Sequence, residues 1–323
     1  EIEIRDVWAG KVVWNSGKVK SAQSQLVSCA DAVLEKDRHY TWRVRVWDEA
    51  DTPSAWSAPS DFSILTSEAA FAGSEWIGAI TRKDARIPEG RKYHGSELKK
   101  PEAKAAWAAV DTLAKKSIYL RREFYVAKKV KDATAYVCGL GFYEFSLNGE
   151  KVGDSEFAPL WSDYDKSVYY NTYDVTSQVK KGGNAIGVLL GNGFYNVQGG
   201  RYRKLQISFG APTLRFRMVV NYEDGTCETI VSGKDWKYDF SPVLFNCIYG
   251  GEDYDARREQ KGWNMFGFKE QDWRPVVIQE APKGVLRPQI AQPVKIMERY
   301  DIRKVTKLTA EQITAACKST KRT

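Results

Sequence analysis

Apolar and polar positions alternate with a period of two along most of the chain, and that period predicts strands. In TWRVRVW, Trp42, Val44 and Val46 alternate with Arg43, Arg45 and Trp47, the pattern of a half-buried strand. EIEIRDV, VVWNSG and AQSQLVS before it and SAWSAPSDFSIL after it read as further short strands, so residues 1–65 form a first β-unit. From Ser117 onward strand composition dominates again, in SIYLRREFYV, DATAYVCGLGFYEFSLNG, NAIGVLLGNGFY and PTLRFRMVVNYEDGTCETIVS. Asn148-Gly149, set between GFYEFSL and EKVGD, supplies the two positive-φ positions of a type I′ turn and predicts a hairpin. Glu223-Asp224-Gly225 marks a second one. No βαβ alternation occurs, so the sheets are expected to be antiparallel and the architecture a sandwich or jelly roll.

Two stretches depart from this pattern. TSEAAFAGSEW, rich in small residues, reads as a linker, with a second and larger unit starting near Phe71. ELKKPEAKAAWAAVDTLAKK, residues 97–116, has helix-favouring Ala and Lys with Pro101 near its first turn, and predicts a short surface helix or an ordered insertion. The domain boundaries expected are therefore 1–66, 71–295 and, in 296–323, the start of a following element, because YDIRKVTKLTAEQITAACKST trails into new structure. EIEIRD reads as a strand already in progress, which is the expectation for a segment of a larger polypeptide.

Composition narrows the function classes. With 323 residues, 43% hydrophobic and 13% aromatic content, the chain can build real cores. A net charge of +8 permits anionic partners, but the basic residues are scattered pairs with no zinc-finger, RNP or helix-turn-helix pattern, so no nucleic-acid partner is predicted. No run of 18 apolar residues occurs, and no membrane span is predicted. Cysteines at 29, 138, 227, 247 and 317 form no CxxC pair and are odd in number, so neither a zinc site nor a disulfide framework follows and buried thiols are expected. His39 and His94 stand without ligand-like neighbours. No metal ligands and no bound cofactor are predicted from the residues. GLGFYE, residues 139–144, superficially echoes a phosphate loop but precedes a strand and hairpin instead of a helix.

Phrases of the second unit form an ordered series: LRREF, the A-x-x-Y-V-x-G-L-G-x-Y-E-x-x-L-N-G-x-x-V-G-D run, P-x-W-S-D-Y, Y-x-x-Y-D-V-T, G-x-N-A-I-G-V-x-L-G-x-G, Y-G-G-E-x-Y-D-A-R and D-W-x-x-V. Over roughly 70–295 this series resembles the N-terminal β-sandwich domains of bacterial α-L-rhamnosidases. The first unit resembles the fibronectin type III-like domain that leads bacterial glycoside hydrolases, where a YxWRVRVWD strand and a WS…F segment close the sandwich. Such a domain runs nearer to a hundred residues, so about a third of it is expected to be missing at the front. The resemblance implies an all-β chain, a partial fibronectin type III/Ig-like sandwich followed by a larger antiparallel jelly-roll-like β-sandwich. It also implies a secreted or periplasmic bacterial protein and a catalytic (α/α)6 barrel elsewhere in the same polypeptide. GNGFYNVQGGRYRKLQISFGAP, residues 191–212, looks like the branch associated with pectic polysaccharides.

A glycosidase needs two carboxyls flanking the scissile bond. Asp163, Asp165, Glu252, Asp253 and Asp255 are the local candidates, but Asp255 and Arg257 read as a structural ion pair, and the family's catalytic acids belong to the barrel. No catalytic residue is therefore predicted here. A sugar-binding surface asks instead for aromatic faces against the ring and short polar side chains for its hydroxyls. WSDY and GNGFYN both offer that chemistry, which makes Trp161, Asp163, Tyr164, Asn192, Tyr195 and Asn196 the candidate ligand-binding residues, provided the two loops share one rim. Related domains in some family members bind rhamnose with calcium, and the Asp and Asn oxygens would suit that ion. The competing reading makes Trp161 and Tyr164 core plugs and Asp163 a turn cap. The function expected is a noncatalytic portion of a rhamnosidase, against the alternatives of a free-standing carbohydrate-binding module or a spacer packed on the barrel.

Overall fold

The computed structural model describes residues 1–312 except 36–37, 65–66, 89–91, 95, 198–204 and 305. Cys317, the QGGRYRK part (198–204) of the pectic-branch phrase, and residues 313–323 of the last predicted element lie outside the described residues.

The first unit is a single four-stranded sheet. Ile2–Asp6 lies between Lys11–Asn15 and His39–Val44, and Ser60–Ser63 pairs on the far side of His39–Val44. Ile4 and Tyr40 are its buried apolar residues, while Trp42 stays 40% exposed. The contacts that hold segment 16–35 against it include hydrogen bonds from Trp14 Nε1 to Asp31 (2.8 Å), from the Glu35 amide to the Tyr40 hydroxyl (2.8 Å) and from the Ser16 amide to the Ile2 carbonyl (3.0 Å). Arg45 lies between the rings of Trp47 and Trp56, and Arg43 covers Trp56 at 4.5 Å, so the alternating WRVRVW strand stacks its arginines on tryptophans.

The second unit is a sandwich of a six-stranded and a seven-stranded sheet. Ile118–Val126 pairs with Gly182–Leu190 over its whole length, and Thr213–Tyr222 with Val130–Leu140. Period-two burial is plain in Thr213–Tyr222, where Leu214, Phe216, Met218, Val220 and Tyr222 point into the core. They meet Leu120, Phe145, Leu147, Ile186, Val188 and Trp236 from the other sheet, with Phe145 and Phe216 edge to face at 5.5 Å. Both hairpins form where expected. Asn148 and Gly149 adopt φ of 54° and 86° between Tyr143–Leu147 and Glu150–Lys151, and Gly225 turns Thr213–Tyr222 into Cys227–Val231.

AQSQLVS, residues 22–28, forms no strand, and TSEAAFAGSEW is no bare linker, since Ala70, Phe71 and Trp76 are buried in a core cluster. Two further features differ from the sequence-based expectation. One pairing is parallel: Val285–Pro288 runs alongside Ser167–Asp174 at the edge of the seven-stranded sheet. The other is the 97–116 stretch, whose helix Pro101–Ala108 is no mere surface decoration. It buries Ala103 and Trp107, and Trp107 joins Ala85, Ile87, Val110, Ala114 and Ala211 in a small separate core.

Outside the sandwich, segment 262–268 lies flat on the outer face of the six-stranded sheet. Gly187 makes room for it, since a Cβ there would come within 2.5 Å of Asn264 Cβ and 2.8 Å of the Trp263 ring. Arg121, wholly buried, fastens this strap through the Met265 carbonyl (2.9 Å).

The two units touch at His39, whose ring nitrogens face Asp61 (2.9 Å) on its own sheet and Asp174 (3.8 Å) on the sandwich. Beside this contact, Arg38 and Lys131 cover the Trp8 ring, each at 4.9 Å. Asp132 is buried next to it with one oxygen unpartnered; burial pushes its carboxyl above the usual carboxylate range, and the Asn221 amide (2.8 Å) only partly opposes this. A raised native pKa means that the ionised form is resisted more in the folded than in the unfolded chain, so Asp132 costs stability at neutral pH and the cost vanishes once both states are protonated. Asp132→Asn is therefore expected to raise the thermal midpoint at pH 7, with a gain that shrinks to nothing as the pH falls towards 3. A gain that grows on acidification would contradict this.

Candidate functional site

Two short loops with the same spelling meet at one end of the sandwich. GLGFYE follows Val130–Leu140, and GNGFYN follows Gly182–Leu190. They stack backbone on backbone: Gly141 sits at φ 123°, where a Cβ would collide with the Gly191 carbonyl, and a Cβ on Gly193 would come within 2.8 Å of the Phe142 amide nitrogen. These glycines serve to bring the two loops together. In both copies the tyrosine turns inward, Tyr143 and Tyr195 each being 6% exposed, and the preceding phenylalanine faces the rim. Phe142 and Phe194 stand edge to face at 6.0 Å.

WSDY lies against this pair, so the two predicted loops do share a rim. The Trp161 ring is 5.3 Å from Phe194, and Tyr164 is 5.1 Å from Tyr195. Trp161 is 61% exposed and is no core plug. Asp163 is half exposed, its carboxylate 3.0 Å from Lys166 and its carbonyl accepting from the amides of Lys166 and Ser167, which closes the turn.

The other four candidates are buried. Tyr164 packs among Tyr195 and Phe209, and burial pushes its phenol well above the usual range. The Tyr195 hydroxyl donates to the Phe209 carbonyl (3.2 Å). Asn192, fully buried, donates through Nδ2 to the Lys115 carbonyl (3.1 Å) and to Asn246 Oδ1 (3.0 Å). Asn196 donates to the Ala114 carbonyl (2.8 Å) and to Asn192 Oδ1 (2.9 Å). Buried amides must find partners, and these found them inside the protein, where they tie the loop to residues 114–117 and to the Val243–Cys247 strand. Asn192 and Asn196 offer no face to a ligand, whereas Tyr164 and Tyr195 line a small cavity with Phe209 and Arg82. The oxygens suggested for calcium therefore do not converge, and among the described residues no group of three or more His, Cys, Asp or Glu side chains is placed to hold a metal.

What the rim presents instead is an aromatic row of Phe157, Phe142, Phe194 and Trp161, with Tyr249 edge-on to Phe194 at 5.8 Å. Phe157 is 58% exposed at φ 52°, a left-handed backbone that a bulky residue adopts only under constraint. Sequence reasoning missed Phe142, Phe157, Phe194 and Tyr249, although the repeated G-x-G-F-Y spelling was a readable signal for two of them. Beside the row a cleft of about 520 Å³ opens, walled by Phe142, Phe157, Val243 and Ile248, with Glu144, Lys151, Glu156 and Glu252 at its margin. Lys151 binds Glu156 (2.7 Å) and reaches Glu144 (3.6 Å). Asp255 lies outside the cleft: it caps the turn at 256–258 and grips Arg257 through both oxygens (2.7 and 2.9 Å), and that pairing holds its carboxyl down at about 2.

Comparison with known proteins places this architecture. The family model described as alpha-L-rhamnosidase N-terminal domain matches residues 128–298, and that of the Rha78A-like N-terminal immunoglobulin domain matches residues 1–65. An α-L-rhamnosidase of Formosa agariphila is 38% identical over 268 residues, 81% of this chain and 27% of that protein. One from Alteromonas sp. is 29% identical over 93% of this chain and 30% of its own length. The solved α-L-rhamnosidase from Dictyoglumus thermophilum superposes with a TM-score of 0.66 at 32% identity, covering 92% of this chain and 32% of that one. That of Streptomyces avermitilis, complexed with L-rhamnose, gives 0.72 at 26%, covering 94% and 44%. The chain thus spans less than a third of the length of these curated relatives. With the matched region, the two-unit β-architecture and the ordered motifs in agreement, the chain belongs to the α-L-rhamnosidase family, of which it carries the N-terminal β-domains.

Proposed function

We propose that this chain is the noncatalytic N-terminal portion of a secreted or periplasmic glycoside hydrolase that removes rhamnose from glycans, pectic ones included, with its acid and base carried by another part of the same polypeptide. In this reading the sandwich is both scaffold for that catalytic part and a sugar-binding surface. The observation that carries the binding role is the row of five aromatic rings from Phe157 to Trp161, counting Tyr249, beside a cleft, with Phe157, Trp161 and Tyr249 exposed and Phe142 and Phe194 half-buried. Aromatic faces set beside polar margins are what a pyranose ring requires. A pure spacer has no need of a phenylalanine held at positive φ with its ring in solvent.

Isothermal titration with L-rhamnose and with a rhamnose-containing pectic oligosaccharide tests this. Weak binding is expected, indifferent to calcium or a chelator. Trp161→Ala is expected to weaken it at least tenfold, about 1.4 kcal/mol, while changing folding stability by no more than about 0.5 kcal/mol, as suits an exposed side chain. Binding that is unchanged in Trp161→Ala and in Phe194→Ala would show that the row only closes the end of the sandwich.

A further inference from the structure

The charge of the cleft is opposite in sign to that of the protein. The chain carries +8 overall, yet the margin of the cleft holds three carboxylates, Glu144, Glu156 and Glu252, against one ammonium, Lys151. That ammonium is committed, lying 2.7 Å from Glu156 and 3.6 Å from Glu144. The side-chain atoms of Glu144 are half exposed, and Glu252 is exposed. The rest of the wall includes the apolar Phe142, Phe157, Leu189, Val243 and Ile248, with Ser117, Ser155 and Asn246 among its short polar groups. Resting on the carbohydrate reading above, we propose that this cleft is a subsite for a neutral sugar residue and that its carboxylates reject a uronate.

Electrostatics sets this preference. A sugar carboxylate brought into the cleft gives up part of its hydration, meets no free cation on the margin, and lies close to acids whose field is weakly screened beside an apolar wall. A neutral residue gives up little and can place hydroxyls on the same acids, which accept hydrogen bonds readily. The positive remainder of the surface still draws a pectic chain towards the protein at long range. Selection between its neutral and its acidic units falls to the cleft.

A rhamnose–galacturonate disaccharide and its methyl ester, which differ only in the charge, are the probes. Titrated at about 20 mM salt, the ester is expected to bind at least fivefold tighter than the acid, and the ratio is expected to fall towards one in 0.5 M salt, where the screening length is only a few ångström. Glu252→Gln is expected to reduce the ratio, and Glu144→Gln combined with it to bring the ratio close to one. An acid form that binds as tightly as the ester, or a ratio that the glutamines leave unchanged, overturns the inference and leaves the carbohydrate reading standing. No binding of either form overturns both.

Discussion

Arg121→Met is expected to cost about 3–5 kcal/mol of folding stability, the penalty for stripping one partner from a buried ionic cluster. The Arg121 side chain is inaccessible to solvent, yet its guanidinium serves three oxygens: Glu123 Oε1 at 2.6 Å, the Met265 carbonyl at 2.9 Å, and Glu270. The rings of Phe268 and Trp273 cover it at 5.4 and 5.9 Å. Glu123 in turn accepts from the Gly267 amide (2.9 Å), so one cation holds both the root of a central strand and the strap that crosses it. A methionine fills the volume but strips Glu123, 30% exposed, of its cation and leaves Glu270, 20% exposed, with Lys237 alone (2.6 Å). Denaturant titration gives the stability, and limited proteolysis should show new cleavage between residues 262 and 270. The same change at Arg257, whose side chain is 90% exposed in its pair with Asp255, is expected to matter by less than about 1 kcal/mol. A loss below about 1 kcal/mol at Arg121 would mean that the strap is held by its ring contacts and by its other hydrogen bonds, such as Asn264 Nδ2 to Ser146 Oγ (2.9 Å).

The second large effect is expected at Gly141. Alanine there must adopt φ 123° and place its methyl group into the Gly191 carbonyl, a backbone atom with no rotamer to escape through. Both loops have to part, so a loss of about 4 kcal/mol or more is expected, together with the mutual placement of Phe142 and Phe194. Gly225→Ala is the control that separates the two causes. It also sits at positive φ, 83°, but with nothing within 4 Å of the new Cβ, and it is expected to cost about 1 kcal/mol. Equal losses at the two glycines would show that the dihedral alone matters and that the loops can yield.

The strands and hairpins were readable because their signals are local. Asn148-Gly149 needs only its own two dihedrals, and the alternation through Leu214, Phe216 and Met218 needs only one sheet face. The candidate site was half legible for the opposite reason. Local chemistry gives Asn192 and Asn196 the look of ligand contacts, but their fate was decided by carbonyls at 114 and 115, nearly eighty residues away. Trp161 and Phe194 have similar chemistry to Tyr164 and Tyr195, and only the direction in which each loop residue points sorts rim from interior. Pro101 and the Ala-rich run announced a helix correctly, yet nothing within that run tells that Trp107 will meet Ala211.

The parallel pairing bears on how the molecule is made. Ser167–Asp174 receives its neighbour Val285–Pro288 from more than a hundred residues downstream. At synthesis rates of about 5–20 residues per second, a ribosome needs on the order of ten seconds to deliver that strand. Throughout that interval the nascent sandwich displays an unfilled margin, including Tyr169 and Tyr170, to every other emerging chain on the same messenger. Crowded translation of this segment is therefore the moment at which neighbouring copies could insert a strand into one another, and slowing initiation should improve the yield of monomer more than lowering temperature after synthesis is complete.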